Sequence, residues 1–163
     1  MSETDRLLDN ARAYAERFDK ADLSMPPSKK VAVLACMDAR VVPSRILGLN
    51  EGEAHILRNA GGVVDDDAIR SLAISQSLLG TEEIILIHHT DCGMLTFTDD
   101  ELADKLEQET GQRPSWRAHA FSDVEQDVRD SIARLQESPF IPNKDSIRGF
   151  VYDVKTGGLS EVA

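Results

Sequence analysis

Cysteine is scarce in this chain: Cys36 and Cys92 are the only two among 163 residues. A scaffold stapled by disulfides is therefore excluded, and so is a metal site built from cysteines alone within one chain. A domain of this length needs no staples, since it can bury roughly two-thirds of the surface its unfolded chain exposes. Basic residues are also in deficit, with 18 Lys+Arg against 29 Asp+Glu and a net charge of −11. Phosphate recognition relies on Lys/Arg clusters, so this balance argues against nucleic acid or anionic lipid as a partner. Long apolar runs are missing. Val31–Cys36 and Ile84–Ile87 are strand-sized, far short of the about 20 residues of a membrane span. The opening Met1-Ser-Glu-Thr-Asp-Arg6 shows no basic region followed by an apolar core, so the expectation is a cytoplasmic protein with reduced cysteines. Neither G-x-G-x-x-G nor G-x-x-x-x-G-K-[ST] occurs, which weakens a nucleotide-binding reading.

What is present alternates between two periodicities. Leu7, Leu8, Ala11, Tyr14, Ala15 and Phe18 fall at helical spacing and predict an amphipathic helix over about 4–18. Ser24-Met-Pro-Pro-Ser28 then breaks the pattern. Val31–Cys36 reads as a strand buried on both faces, Ala54–Arg58 as a second short strand, and Glu83–His88 as a third, buried one. Between them Asp65-Asp-Asp-Ala68 opens a helix to about Leu79, acidic at its positive end and followed by Gly80. Thr98…Glu101 and Ser122…Glu125 are capping-box patterns that predict helices near 98–110 and 122–137. Arg148–Val154 and Leu159–Val162, around Lys155-Thr-Gly-Gly158, predict a terminal strand and hairpin. Strands alternating with helices, the early ones continuous in hydrophobicity, indicate an α/β fold around a mostly parallel sheet. No repeat or linker divides residues 1–163, so a single domain is expected.

Chemistry concentrates at two strand ends. Cys36-Met-Asp38-Ala-Arg40 follows the first strand, and His88-His89-Thr-Asp-Cys92-Gly93 follows the third. Open α/β sheets bind ligands outside the carboxyl ends of their strands. Zinc takes thiolate, imidazole and carboxylate ligands, and a catalytic site leaves one position open. Cys36, Cys92 and one histidine would supply three. Adjacent strand residues face opposite ways, and His89-x-x-Cys92 has a short loop spacing common in zinc sites, so His89 is the better candidate. Taken singly, each feature has a plainer explanation. A lone cysteine is often a small buried hydrophobe, Asp38 and Arg40 could be a loop ion pair, and a lone histidine is more often hydrogen-bonded than a ligand. Their joint placement is what points to a metal site.

Cys36-x-Asp38-x-Arg40 with His89-x-x-Cys92-Gly93 resembles the zinc signature of the β-class carbonic anhydrases, and Arg58-Asn-Ala-Gly61 is similar to another segment of that family. The compact form, with Met25-Pro-Pro-Ser28 leading into the first strand, resembles the short actinobacterial branch. The resemblance implies Cys36, His89 and Cys92 as ligands of one Zn2+ per subunit and Asp38–Arg40 as the catalytic dyad. It also implies a four-stranded, mostly parallel sheet extended by an antiparallel C-terminal strand and flanked by helices. The assembly implied is a homodimer or larger, in which the helix near 4–18 either covers its own core or crosses to a partner subunit.

The expected reaction is reversible hydration of CO2 to bicarbonate and a proton, by a carbonate dehydratase. Asp38 would accept a hydrogen bond from zinc-bound hydroxide and aim it at carbon, and Arg40 would keep the Asp38 carboxylate off the metal. In a closed state Asp38 itself would become the fourth zinc ligand. Carbonyl sulfide or carbon disulfide hydrolysis on the same site is the alternative, since these substrates are also small, linear and weakly polar. A non-enzymatic zinc or bicarbonate sensor fits less well, because it would need neither Asp38 nor Arg40. The segment 58–62 is expected either to bring backbone close to the site or to be a tight turn. His55 and His119 are the candidate proton carriers, and Trp116 is assigned to packing or an interface.

Overall fold

Five of the six residues of β1 (Val31–Cys36) are buried, which is why the run carries no polar alternation. In the computed structural model, which describes residues 1–163, this strand is flanked by two others. On one side it pairs in parallel with β2 (Ala54–Asn59), and on the other with β3 (Glu83–His89). β3 pairs in parallel with β4 (Ile147–Tyr152), which is joined antiparallel by β5 (Leu159–Glu161). The sheet order is β2-β1-β3-β4-β5, the expected parallel four extended by one antiparallel strand.

Three helices follow their sequence signals closely. Asp65 caps α3 (Asp66–Leu79) by accepting from Ala68 N, and Gly80 ends it in the left-handed conformation. Thr98 and Glu101 form a reciprocal capping box on α4 (Asp99–Thr110). The helix near 122–137 is present as α5 (Val124–Glu137), but its cap differs from expectation. Asp123, not Ser122, accepts from Gln126 N. A four-residue helix, α2 (Pro43–Ile46), was not expected; proline at its first position costs no hydrogen bond there.

One face of the sheet carries the larger core, in which Ala32, Leu34, Ile84 and Leu86 pack against Leu72 of α3 and Val128 and Leu135 of α5. The other face is thinner, with Val33, Ala35 and Ile87 closed over by Val41 and the half-buried Ile46 and Leu49. The N-terminal helix, α1 (Glu3–Ala15), is shorter than expected and buries no residue. Its apolar stripe does not cover its own core: Leu7, Leu8, Tyr14 and Phe18 are all at least half exposed. No helix is long and apolar enough to cross a membrane.

Candidate metal centre

The pairing of Ala35 with Ile87 sets the ends of β1 and β3 side by side, so Cys36 and His89 leave the sheet as neighbours. After His89 the chain turns sharply through Asp91, whose φ of 53° is left-handed, and returns Cys92 to the same spot. The ligand atoms of Cys36, His89 and Cys92 lie within 4.8 Å of one another, and all three residues are buried. Met94, with the half-buried Phe97 and Phe121, packs around the two sulfurs. His88 faces the other way. Its Nε2 meets Asp127 Oδ2 of α5 at 2.6 Å, and its ring packs on Phe121.

The donor set fits zinc on two independent observations. His89 Nδ1 is 2.7 Å from the Thr90 carbonyl oxygen, which can only accept, so Nδ1 carries the proton and Nε2 presents its lone pair. That Nε2 is buried without any hydrogen-bond partner. A buried polar atom left bare is costly unless something binds it, and a backbone carbonyl behind the opposite nitrogen is the usual support of a metal-ligating histidine. The sulfurs tell the same story. Cys36 is held as a thiolate below the ordinary thiol range, chiefly by the hydrogen bond from Cys92, while that same hydrogen bond, together with burial, pushes the Cys92 thiol up. Burial opposes a charged His89 ring, but the Cys36 thiolate and the Thr90 carbonyl outweigh it and raise its pKa. Two sulfurs and one imidazole nitrogen make a three-ligand set that leaves the fourth position of a tetrahedral zinc open.

Asp38 and Arg40 stand beside this cluster. Arg40 grips the carboxylate three times: backbone N to Oδ1 at 2.8 Å, Nε to Oδ1 at 3.0 Å and Nη2 to Oδ2 at 2.7 Å. These bonds hold Asp38 well below the usual carboxylate range, so it is an anion at any working pH. Its Oδ2 nevertheless lies 3.7 Å from His89 Nε2. The carboxylate is parked on the arginine while remaining next to the open face of the cluster.

One residue at the site was not singled out from the sequence. Asp91 takes two bonds from Arg40, at Oδ2 (2.8 Å) and at its carbonyl oxygen (2.9 Å). Its place between His89 and Cys92 was the available signal. The segment 58–62 does both things expected of it: Ala60–Gly62 form a 3-10 turn, and Gly61 N donates to Cys36 Sγ at 3.3 Å. Arg58 itself reaches the main chain of the Cys36–Asp38 loop. Among the candidate proton carriers, His55 is tied to Ser75 Oγ at 2.7 Å, away from the cluster. His119 lines a cavity of about 300 Å³ together with Asn59, Ala60, Met94 and the exposed Trp116.

Comparison with known proteins now places the chain. A family model described as carbonic anhydrase matches residues 31–159. Beta-carbonic anhydrase 1 of Mycobacterium tuberculosis is 57% identical over 162 residues, covering 99% of each chain. The chain belongs to the β-carbonic anhydrases. The crystal structure of carbonic anhydrase from Streptococcus mutans superposes with a TM-score of 0.93 at 44% identity, over 100% of this chain and 99% of that one. A carbon disulfide hydrolase of Saccharolobus solfataricus is 38% identical over 160 residues, covering 83% of this chain and 78% of the relative. The carbonate dehydratase class expected from the sequence is that of the β-carbonic anhydrases.

Proposed function

We propose that this β-carbonic anhydrase catalyses the reversible hydration of carbon dioxide to bicarbonate and a proton at the Cys36–His89–Cys92 centre. The observation that carries the reading is the bare, buried Nε2 of His89 between two sulfurs, with the Asp38 carboxylate 3.7 Å away. Cys36 Sγ, Cys92 Sγ and His89 Nε2 would hold one zinc ion per subunit. When bound there, zinc supplies a Lewis acid that makes water a nucleophile near neutral pH.

The chain's own residues do the rest. Asp38 is too weak a base to keep a proton, since Arg40 holds it as an anion. Its work is orientation: Oδ2 accepts a hydrogen bond from the attacking oxygen and leaves that oxygen's lone pair aimed at the carbon of CO2. Arg40, always charged, keeps the carboxylate from falling onto the metal. A closed state with Asp38 as fourth ligand would compete with the Arg40 bonds to the same carboxylate. Addition of oxygen to carbon yields bicarbonate, and one proton leaves per turnover. The Thr90 carbonyl keeps His89 in the tautomer that presents Nε2.

The same reading takes residues 1–163 as one domain working as a homodimer or larger assembly in the cytoplasm, where the thiols of Cys36 and Cys92 stay reduced. A second reading, hydrolysis of carbon disulfide or carbonyl sulfide, is favoured by the 38% identity to a carbon disulfide hydrolase. Both are linear molecules with an electrophilic carbon, so the same attacking oxygen would serve.

Metal analysis followed by stopped-flow CO2 hydration tests the proposal, with sulfide release from carbonyl sulfide and carbon disulfide assayed in parallel. One zinc per chain and rapid hydration are expected. Stoichiometric zinc without hydration between about pH 7 and 9, where zinc-activated water titrates, overturns it. Cys36→Ser should lose zinc. Asp38→Ala should keep zinc and lose about 10²-fold in turnover, the scale of cost when a reacting atom is no longer oriented.

A further inference from the structure

Arg58 is the one arginine at the site whose charge meets no carboxylate: no ion pair forms within 4.0 Å. Its guanidinium is spent on main-chain oxygens instead. Nε and Nη2 donate to the Cys36 carbonyl at 3.1 and 2.8 Å, and Nη2 also donates to the Asp38 carbonyl at 2.8 Å. These two oxygens flank Met37, whose side chain points to solvent. Arg58 sits on β2 opposite Ala35, so its long side chain reaches just past the end of β1. There the ladder has one last rung, Met37 N to Asn59 O at 2.8 Å. Beyond that rung, Cys36 must present a sulfur and Asp38 a carboxylate to a common centre.

We propose that Arg58 is a positioning residue for this loop, its fork across two carbonyls fixing Cys36 and Asp38 in the relative orientation that metal binding and catalysis both need. Arginine suits the task because its planar fork engages two acceptors at once, which a lysine ammonium does with far less directional control. Outer partners of this kind influence a metal through the ligands they hold. The inference rests on the metal-site part of the reading above, and its first measurement does not depend on the substrate.

The experiment compares wild type, Arg58→Ala and Arg58→Lys in three ways. Zinc affinity is measured by competition with a chromophoric chelator, the cobalt-loaded proteins are compared by their thiolate charge-transfer absorption, and urea unfolding reports stability. Arg58→Ala should bind zinc about 10–100-fold more weakly, shift the cobalt band, and recover part of the affinity when guanidinium ion is added at concentrations too low to unfold it. Arg58→Lys should remain defective and covers the case of an unfolded Arg58→Ala. In CO2 hydration the loss should fall on kcat, with KM little changed. Wild-type zinc affinity and cobalt spectrum in both variants overturn the proposal. So does a deficit that only tracks a lower urea midpoint and is not restored by guanidinium. A wild-type protein that binds zinc but does not hydrate CO2 sinks the proposed activity, while the metal measurements still judge Arg58.

Discussion

Arg40 and Asp91 are joined twice, through the carboxylate at 2.8 Å and through the Asp91 carbonyl at 2.9 Å. The guanidinium that holds Asp38 therefore also grips the turn between His89 and Cys92. Two segments more than 50 residues apart in sequence are fixed to one another by a single side chain. Asp91→Asn removes the charge but leaves the carbonyl bond. Because both partners are well exposed, solvent screens the pair. The expected outcome is a drop in kcat of about two- to five-fold with zinc retained. A loss as large as that of Asp38→Ala would show that Asp91 touches the reaction directly.

The two thiols give a definite pH dependence to metal binding. In the metal-free site Cys36 is the thiolate and Cys92 keeps its proton, because each sulfur's state favours the opposite state in the other. Zinc takes both as thiolates, so binding expels one proton. Acid stabilises the side of the equilibrium that holds the proton, which is the metal-free one. Affinity should therefore fall by at least about tenfold for each pH unit lowered through neutrality, and more steeply once His89, whose pKa is raised, gains a proton that the metal must also displace. Asp38 is already an anion and adds nothing to this slope. Chelator competition between about pH 6 and 8 measures it, and a flat profile would mean that both sulfurs are already ionised without metal.

The sheet and the Cys36–His89–Cys92 cluster were legible in the sequence for a physical reason. A strand buried on both faces must be continuously apolar, so Val31–Cys36 announced itself, and the chain's only cysteines fell at the ends of two such strands. Alternation of side chains along β3 is what separates His88 from His89. What stayed hidden acts through main-chain atoms. Arg58 works on two carbonyls, and Asp91 partly through its own carbonyl. No residue pattern encodes those bonds. The cap of α5 was misplaced because Ser122 and Asp123 both precede an acceptor-bearing residue by three, and only the structure shows that Asp123 bonds Gln126. The apolar stripe of α1 was visible, but it covers none of the chain's own core.

That stripe makes a prediction about assembly. Leu7, Leu8 and Tyr14 of α1, with Phe18 just beyond its end, are left in water by a segment that contributes nothing to the core, and an exposed apolar patch of this kind marks an interaction surface. Removing residues 1–18 should leave a folded sheet but shift the mass seen by light scattering from a dimer or larger species towards that of one chain, about 18.0 kDa before truncation. Unchanged assembly after truncation would remove α1 from the interface.

Gly62 is where the fold and the site constrain one another most tightly. Its φ is +65°, and a Cβ placed there would lie 2.8 Å from Cys36 N, 3.0 Å from Ala35 C and 3.1 Å from Ile87 O. All three are backbone atoms of β1 and β3, so no side chain can swing aside. The same strand ends carry Cys36 and lead into His88 and His89, and any relaxation must move Cys36 and His89. Gly80 supplies the control, since it has φ +75° but nothing within 4 Å of an added Cβ. Gly80→Ala should cost only the left-handed strain, about 1–2 kcal/mol. Gly62→Ala should cost about 2–4 kcal/mol in urea unfolding and weaken zinc binding as well. If the two variants unfold alike and bind zinc alike, the close approach of the 3-10 turn to β1 is not what holds Cys36 in place.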